Sequence, residues 1–197
     1  MKKGEGGQLA GGNPTRGRVE NDFYATPIEA TEALLKIEKI IYPAWEPACG
    51  QGHIAKLLGV DCSDEDYYAS DIVDRGFGDV CDFLSPLKDD YKNLKKINTI
   101  ITNPPFSLFQ EFAERALKIA QEKVILFGKI QALEGQKRAT FLENSPLKVV
   151  YVFKRRINPL RNGNPVDENG KKWASTMAFA WYVWEIGYKG EPIIKWI

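Results

Sequence analysis

Short apolar runs alternate along this chain with longer stretches in which apolar side chains recur every three to four positions. The runs predict strands over residues 44–48, 67–72, 97–102, 124–127, 148–153 and 178–185, followed by an extended tail over 192–197. Helices are predicted between them. The first runs from Thr26-Pro27 to about residue 40, with Thr26 as N-cap and Pro27 in the first turn, where a missing N–H costs nothing. Others cover 52–58, 107–120 and a stretch near 138–142. Within 107–120, Leu108, Phe112, Ala116 and Ile119 fall on one face. Strands alternating with amphipathic helices predict an α/β, three-layer, Rossmann-like sandwich around a mainly parallel sheet. In such folds ligands sit beyond the carboxyl ends of the strands.

Residues 1–17 break the pattern. They hold Gly4, Gly6, Gly7, Gly11, Gly12 and Gly17 and almost no large apolar side chain, so they cannot bury enough surface to offset their ordering entropy. A flexible Gly-rich arm is expected there, with 18–197 forming a single domain. Composition changes this picture little. Hydrophobic residues make up 44% of the 197, ample for a core, and the 27 basic and 26 acidic side chains nearly cancel. Net charge therefore says nothing about an anionic partner. Cys49, Cys62 and Cys81 are odd in number and lack metal-ligand spacing, which reads as free thiols in a reducing compartment and predicts no metal site. No apolar run approaches the ~20 residues of a membrane span, so the expectation is a cytoplasmic protein with no membrane partner.

Chemistry concentrates where predicted strands end. The first runs into Glu46-Pro47-Ala48-Cys49-Gly50-Gln51-Gly52, whose glycines permit a sharp turn close to a ligand at the start of a helix. Asp71 ends the second strand nineteen residues beyond Gly52, where a carboxylate can accept both hydroxyls of a ribose. Asp82-Phe83 suits an adenine ring, the acid accepting from its amino group and the aromatic packing nearby. These features fit a nicotinamide dinucleotide and S-adenosylmethionine alike, since both carry an adenosine. His53, the only histidine, reads as a packing or capping residue.

Asn103-Pro104-Pro105-Phe106 is the discriminating segment. Two prolines at a strand end remove two donors and stiffen the chain as it leaves the sheet. The Asn103 side chain and the Pro104 carbonyl can then act as acceptors for an exocyclic amine, and Phe106 offers a flat face to its ring. A nicotinamide oxidoreductase would leave that combination unexplained. On these residues the chain resembles the class I S-adenosylmethionine-dependent methyltransferases, and within them the small phage and bacterial DNA adenine-N6 enzymes. The resemblance implies a seven-stranded sheet with its last strand antiparallel, and S-adenosylmethionine as cofactor. It implies cofactor contacts from Phe23, Tyr24 and Thr26, from Glu46, Pro47, Cys49, Gly50 and Gly52, from Asp71 and Ile72, from Asp82 and Phe83, and from Asn103. The catalytic set it implies is Asn103, Pro104, Pro105 and Phe106. Related motifs also serve RNA bases and a protein glutamine amide. Large members carry a separate target-recognition domain, for which this length leaves no room, so sequence specificity is expected to be loose or supplied by a partner.

A long connection over 154–175 separates the last two predicted strands. Lys148, Lys154, Arg155, Arg156 and Arg161 give residues 148–161 five basic side chains and no acidic one, the expected phosphate contact for DNA or, alternatively, RNA; Lys154, Arg155, Arg156 and Arg161 are the candidates. Trp173 is the aromatic placed to touch a base, whereas Trp181, Trp184 and Trp196 read as packing. The acidic run Asp61, Asp64, Glu65, Asp66 is expected to face away from nucleic acid, and the chain to act as a monomer or weak dimer.

Overall fold

The computed structural model describes residues 23–61, 63–86, 96–166, 168–171 and 177–197. The Gly-rich arm, Cys62 and Trp173 lie outside the described residues. In chain order, β1 (Tyr24–Ala25), α1 (Ile28–Leu35), β2 (Ala44–Glu46), α2 (His53–Leu58), β3 (Tyr67–Asp71) and β4 (Asp79–Val80) make up the first half. β5 (Thr99–Thr102), α3 (Phe109–Ile119), β6 (Lys123–Lys129), α4 (Gln136–Glu143), β7 (Leu147–Val152), β8 (Leu160–Arg161), β9 (Phe179–Glu185) and β10 (Ile193–Trp196) complete it.

β5 is buried at every position and β6 from Lys123 to Gly128, as strands covered on both faces must be. Side chains two apart go to the same layer. Ile100, Val124 and Leu126 pack with Phe112 and Ala116 of α3, while Ile101, Ile125 and Phe127 pack with Leu34 of α1 and Ile54 of α2. The result is the expected three-layer sandwich. Gly128 is a glycine for a packing reason: a Cβ there would run into the ring of Phe109.

The main sheet has the order β10-β7-β9-β6-β5-β2-β3-β4. Its pairs are parallel except that β9 runs antiparallel to both β6 and β7. Seven strands follow expectation, including the antiparallel β9. The eighth is the tail, which pairs in parallel with β7, Ile193 opposite Val149 through Trp196 opposite Val152. β7 would otherwise present one edge of unpaired N–H and C=O groups, and the β-branched and aromatic tail satisfies them. Trp196 is consequently 63% exposed on this edge and is not a core residue, unlike the fully buried Trp181 and Trp184.

The first helix is shorter at both ends than its sequence pattern suggests. Pro27 is extended (φ −62°, ψ 144°) and occupies the N-cap position itself, without a side-chain cap. The helix stops at Leu35, and Glu38 just beyond it accepts from Lys123 Nζ at 2.6 Å and Tyr151 Oη at 2.7 Å, supplying the partner that a buried lysine requires. In the third helix, Phe106–Leu108 forms a 3₁₀ turn before Phe109, so Leu108 leaves the core face and Phe109 replaces it. Among the described residues no helix is long and apolar enough to cross a membrane.

Candidate active site

Parallel strands β2, β3 and β5 end at one edge, and a pocket of about 750 Å³, counting its solvent-open mouth, lies beyond them. The first wall is the glycine turn after β2. Gly50 (φ +55°) and Gly52 (φ +72°) hold backbone shapes that other residues rarely adopt, and a Cβ on Gly50 would meet the Phe23 ring at 2.6 Å. Gly52 does not line the pocket. Its glycine is required by the Phe77 ring, 2.7 Å from where a Cβ would stand.

Asp71 binds this turn from the end of β3. Its two carboxylate oxygens accept from the N–H groups of Gly50 (2.9 Å) and Val73 (3.0 Å), so the acid shapes the turn as well as facing the pocket. Asp82 is exposed, and the hydroxyl of Ser85 at 2.6 Å holds its carboxyl below the usual range. Phe83 beside it is buried between Trp45 and Phe112, ring centroids 5.2 and 5.1 Å away, and reaches the pocket from the core. Ile72 is a different case, an apolar side chain 60% exposed at the pocket mouth.

Glu46 lies deepest. Only 2% exposed, it accepts from Tyr67 Oη at 2.7 Å and from the Ala55 N–H. Burial pushes its carboxyl up to about 8, against the lowering effect of those hydrogen bonds. His53, also at the pocket, is held below its ordinary value by burial and then by the Lys56 charge.

Asn103 follows β5 at the same edge. Its Nδ2 donates to the Tyr24 carbonyl at 2.6 Å, which fixes the amide orientation because that carbonyl can only accept. Oδ1 is then buried with no hydrogen-bond partner. An unsatisfied buried acceptor costs about 1–3 kcal/mol, so each one calls for a physical explanation. Pro105 lines the pocket, whereas Pro104 is buried and Phe106 faces away from it, stacked on Tyr24 at 5.6 Å.

A two-stranded ladder crosses the site. β1 pairs antiparallel with β8, Tyr24 opposite Arg161 and Ala25 opposite Leu160. Asn162 (φ +51°) and Gly163 (φ +75°) make the tight turn that brings Asn164 back to Arg161, and the β1–β8 pairing lays this basic connection against the strand that holds Asn103. β7 is parallel to β5 through β9 and β6, so Lys154, Arg155 and Arg156 emerge exposed at this edge. Lys148 does not join them. It starts β7 at the opposite edge and pairs with Glu185. The acidic run before β3 also lies at that far edge, since β3 begins there.

The model of one family, adenine-specific methyltransferase EcoRI, matches residues 59–191. The chain belongs to that family. The match includes Asp71, Asp82, the Asn103–Phe106 segment and the basic connection, while the glycine turn precedes it. No curated protein matches the chain by sequence. Among solved structures, it is similar to a candidate type I restriction-enzyme modification subunit from Vibrio vulnificus (TM-score 0.56, 11% identity), over 89% of this chain and 47% of that one. A type I restriction–modification methyltransferase subunit from Streptococcus thermophilus gives a TM-score of 0.56 at 8% identity, over 86% and 45%. A candidate RNA methyltransferase from Pyrococcus horikoshii gives 0.56 at 14%, over 84% and 88%. All three share the fold, and the chain spans about half the length of the two restriction-system subunits.

In this family member, sequence reasoning missed several residues at the pocket. Arg75 lines it, with its guanidinium carbon 4.0 Å from the Phe23 ring centroid. Cys81, Leu84 and Leu108 line it too. Arg75 had no local signal, because its stacking partner lies fifty-two residues away in sequence.

Proposed function

We propose that this chain moves the methyl group of S-adenosylmethionine to the exocyclic N6 of adenine in DNA. The observation that carries the reading is the Asn103 amide, oriented by Tyr24 and left with a buried, unpartnered Oδ1 at the lip of the pocket. The pocket suits that cofactor chemically. Glu46 can face an ammonium, Asp71 ribose hydroxyls and Asp82 an adenine amino group, while Ala48, Ile72, Leu84 and Phe112 offer apolar wall. The cofactor, when bound, supplies an electrophilic methyl group.

The protein's task is then to make a poor nucleophile attack. The N6 lone pair is delocalised into the adenine ring. Asn103 Oδ1 and the Pro104 carbonyl accept the two amino hydrogens and favour build-up of that lone pair on nitrogen. No base is needed first, because the proton leaves most easily once the nitrogen carries the new bond and a positive charge. Lys154, Arg155, Arg156 and Arg161 are the proposed phosphate contacts, exposed or half-buried at the same edge.

Transfer of labelled methyl to DNA, RNA and protein in parallel, followed by nucleoside and amino-acid analysis, tests the reading. N6-methyladenine from DNA is expected. Methylated glutamine or cytosine without N6-methyladenine overturns it. Asn103→Ala should lower turnover by about 100-fold or more, in the range of other lost polar contacts to a reacting group, while cofactor affinity by calorimetry stays within about twofold, well under the 1.4 kcal/mol of a tenfold change.

A further inference from the structure

Two elements far apart in sequence meet on the Phe23 ring. Along one edge the ring fills the space that a Cβ on Gly50 would need, its Cε2 standing 2.6 Å from that position. Over its face lies Arg75, with the guanidinium carbon 4.0 Å from the ring centroid, well inside the ~6 Å reach of a cation–π contact. Arg75 is half-buried, and its Nε is buried with no hydrogen-bond partner among the described residues. Lys56 offers a comparison on the other glycine of the turn. It stands 6.0 Å from the Phe77 ring that covers Gly52, at the limit of such contacts, and its ammonium donates to the Gln51 carbonyl at 2.8 Å. The Lys56 charge is thus held by a carbonyl, whereas Arg75 is held by the face of Phe23.

The loop that carries Arg75 is itself fixed. Asp71 accepts from the N–H groups of Gly50 and Val73, Asp74 Oδ1 accepts from the Gly76 N–H at 2.9 Å, and the Phe77 carbonyl accepts from Cys49 Sγ at 3.2 Å. Residues 71–77 are thereby tied to the glycine turn, and Arg75 projects from a firm base. The strand it secures has little hold of its own. β1 is two residues long and pairs with the two of β8, and a lone two-stranded ladder is marginally stable in water. The Phe23 carbonyl accepts from the Asn162 N–H at 3.3 Å, and the next carbonyl, of Tyr24, is the one that orients the Asn103 amide. A side-chain anchor at Phe23 therefore acts one residue away from the contact that aims Asn103.

We infer that Arg75 is a positioning residue: it clamps Phe23 onto the glycine turn and, through β1, keeps the Asn103 amide aimed. The catalytic consequence rests on the methyltransferase reading of Asn103. The clamp itself rests on the contacts of Phe23 with Arg75 and Gly50. It joins the two sides of the site, the turn held by Asp71 on one and the Tyr24–Asn103 pair on the other.

The test uses Arg75→Gln, Arg75→Lys, Phe23→Leu and the double variant Arg75→Gln/Phe23→Leu in the full chain. In Arg75→Gln, amide hydrogen exchange at Asn162, the donor to the Phe23 carbonyl, should speed up about tenfold. Turnover at saturating cofactor and DNA should fall about tenfold, short of the ~100-fold that a 1 Å misplacement can cost. Cofactor affinity by calorimetry should stay within about twofold, which also certifies folding. Arg75→Lys keeps a cation for the ring and should recover most of the turnover and of the slow exchange, a rescue that packing alone would not produce. The double variant should be no slower than Phe23→Leu, because without the ring Arg75 has nothing to clamp; losses that multiply overturn the clamp. So does an Arg75→Gln protein whose cofactor Kd rises while kcat and Asn162 exchange stay at wild type, since Arg75 would then hold the cofactor's carboxylate. A wild type that binds cofactor and methylates no nucleic acid overturns the methyltransferase reading. The clamp is then judged by Asn162 exchange, and wild-type exchange in Arg75→Gln overturns it.

Discussion

Glu46 should make cofactor binding release a proton. Its carboxyl is buried at the pocket with a value of about 8, and among the described residues no cation offsets that burial: Tyr67 donates a hydrogen bond, and Asp71 on the strand of Tyr67 adds repulsion. At pH 7 roughly nine of ten molecules therefore hold the proton. An ammonium arriving in the pocket favours the ionised form, so binding at pH 7 should expel about 0.9 proton from this group, and apparent affinity should improve about tenfold from pH 6 to 7 before levelling off above 8. Calorimetry at fixed pH in buffers of different ionisation enthalpy counts the protons. The ligand's own α-amine has an ordinary value of about 8, so the quantity to read is the difference between wild type and Glu46→Gln. Equal proton release from the two proteins, or affinity flat between pH 6 and 8, refutes the reasoning. The same group predicts a stability trend in the empty protein. Between the ordinary 4.5 and about 8, the folded state holds a proton that the unfolded chain has released. Stability should therefore fall as pH rises through that window, by up to about 1.4 kcal/mol per unit, and Glu46→Gln should remove the slope.

Asp71→Ala should weaken cofactor binding by ~1.5–3 kcal/mol, the scale of lost charge-assisted hydrogen bonds. Because Asp71 also holds the N–H groups of Gly50 and Val73, the melting temperature should fall as well, and unchanged affinity by calorimetry would remove it from the cofactor site. Replacing Lys154 and Arg155 with Gln should flatten the salt dependence of duplex binding by about two units of log–log slope, at about 0.9 per phosphate; an unchanged slope would make the stretch a solvated surface. Phe106→Tyr should keep activity. Phe106→Ala should lose about 1–3 kcal/mol of base capture, seen in KM more than kcat, and a pure kcat loss would contradict its role.

What was legible in the sequence was local. β5 and β6 announce themselves because strands buried on both faces read as near-continuous apolar runs, here Ile100-Ile101 and residues 124–127. The glycine turn and the two prolines at 104 and 105 are visible because each dictates backbone shape within a few residues. Partnerships across the chain were not legible. Glu38, just beyond α1, pairs with Lys123 and Tyr151, eighty-five and one hundred and thirteen residues away. β10 exists because β7 has an edge to cover, a demand absent from residues 192–197 themselves. The β1–β8 ladder is an intermediate case. Asn162-Gly163 is the dipeptide most favoured in a two-residue hairpin turn, so a turn there could have been read, but not the identity of β8's partner.

That partner places Tyr24 where several parts of the site meet. Its carbonyl orients Asn103, its ring stacks on Phe106, and its backbone lies opposite Arg161 of the basic connection. Tyr24 also lines the pocket beyond β2, β3 and β5. A shift of β8 is therefore a shift of β1, and a shift of β1 turns the amide on which the chemistry is proposed to depend. Phosphate bound along 154–161 would steady the strand that aims Asn103, so nucleic-acid capture and amide alignment would draw on the same hydrogen bonds. In the proposed reading, an arriving amine would complete the acceptor that the Tyr24 carbonyl orients. The sheet alone does not supply that arrangement: β5 delivers Asn103 to the edge, and the two-residue strand β1 decides which way its oxygen points.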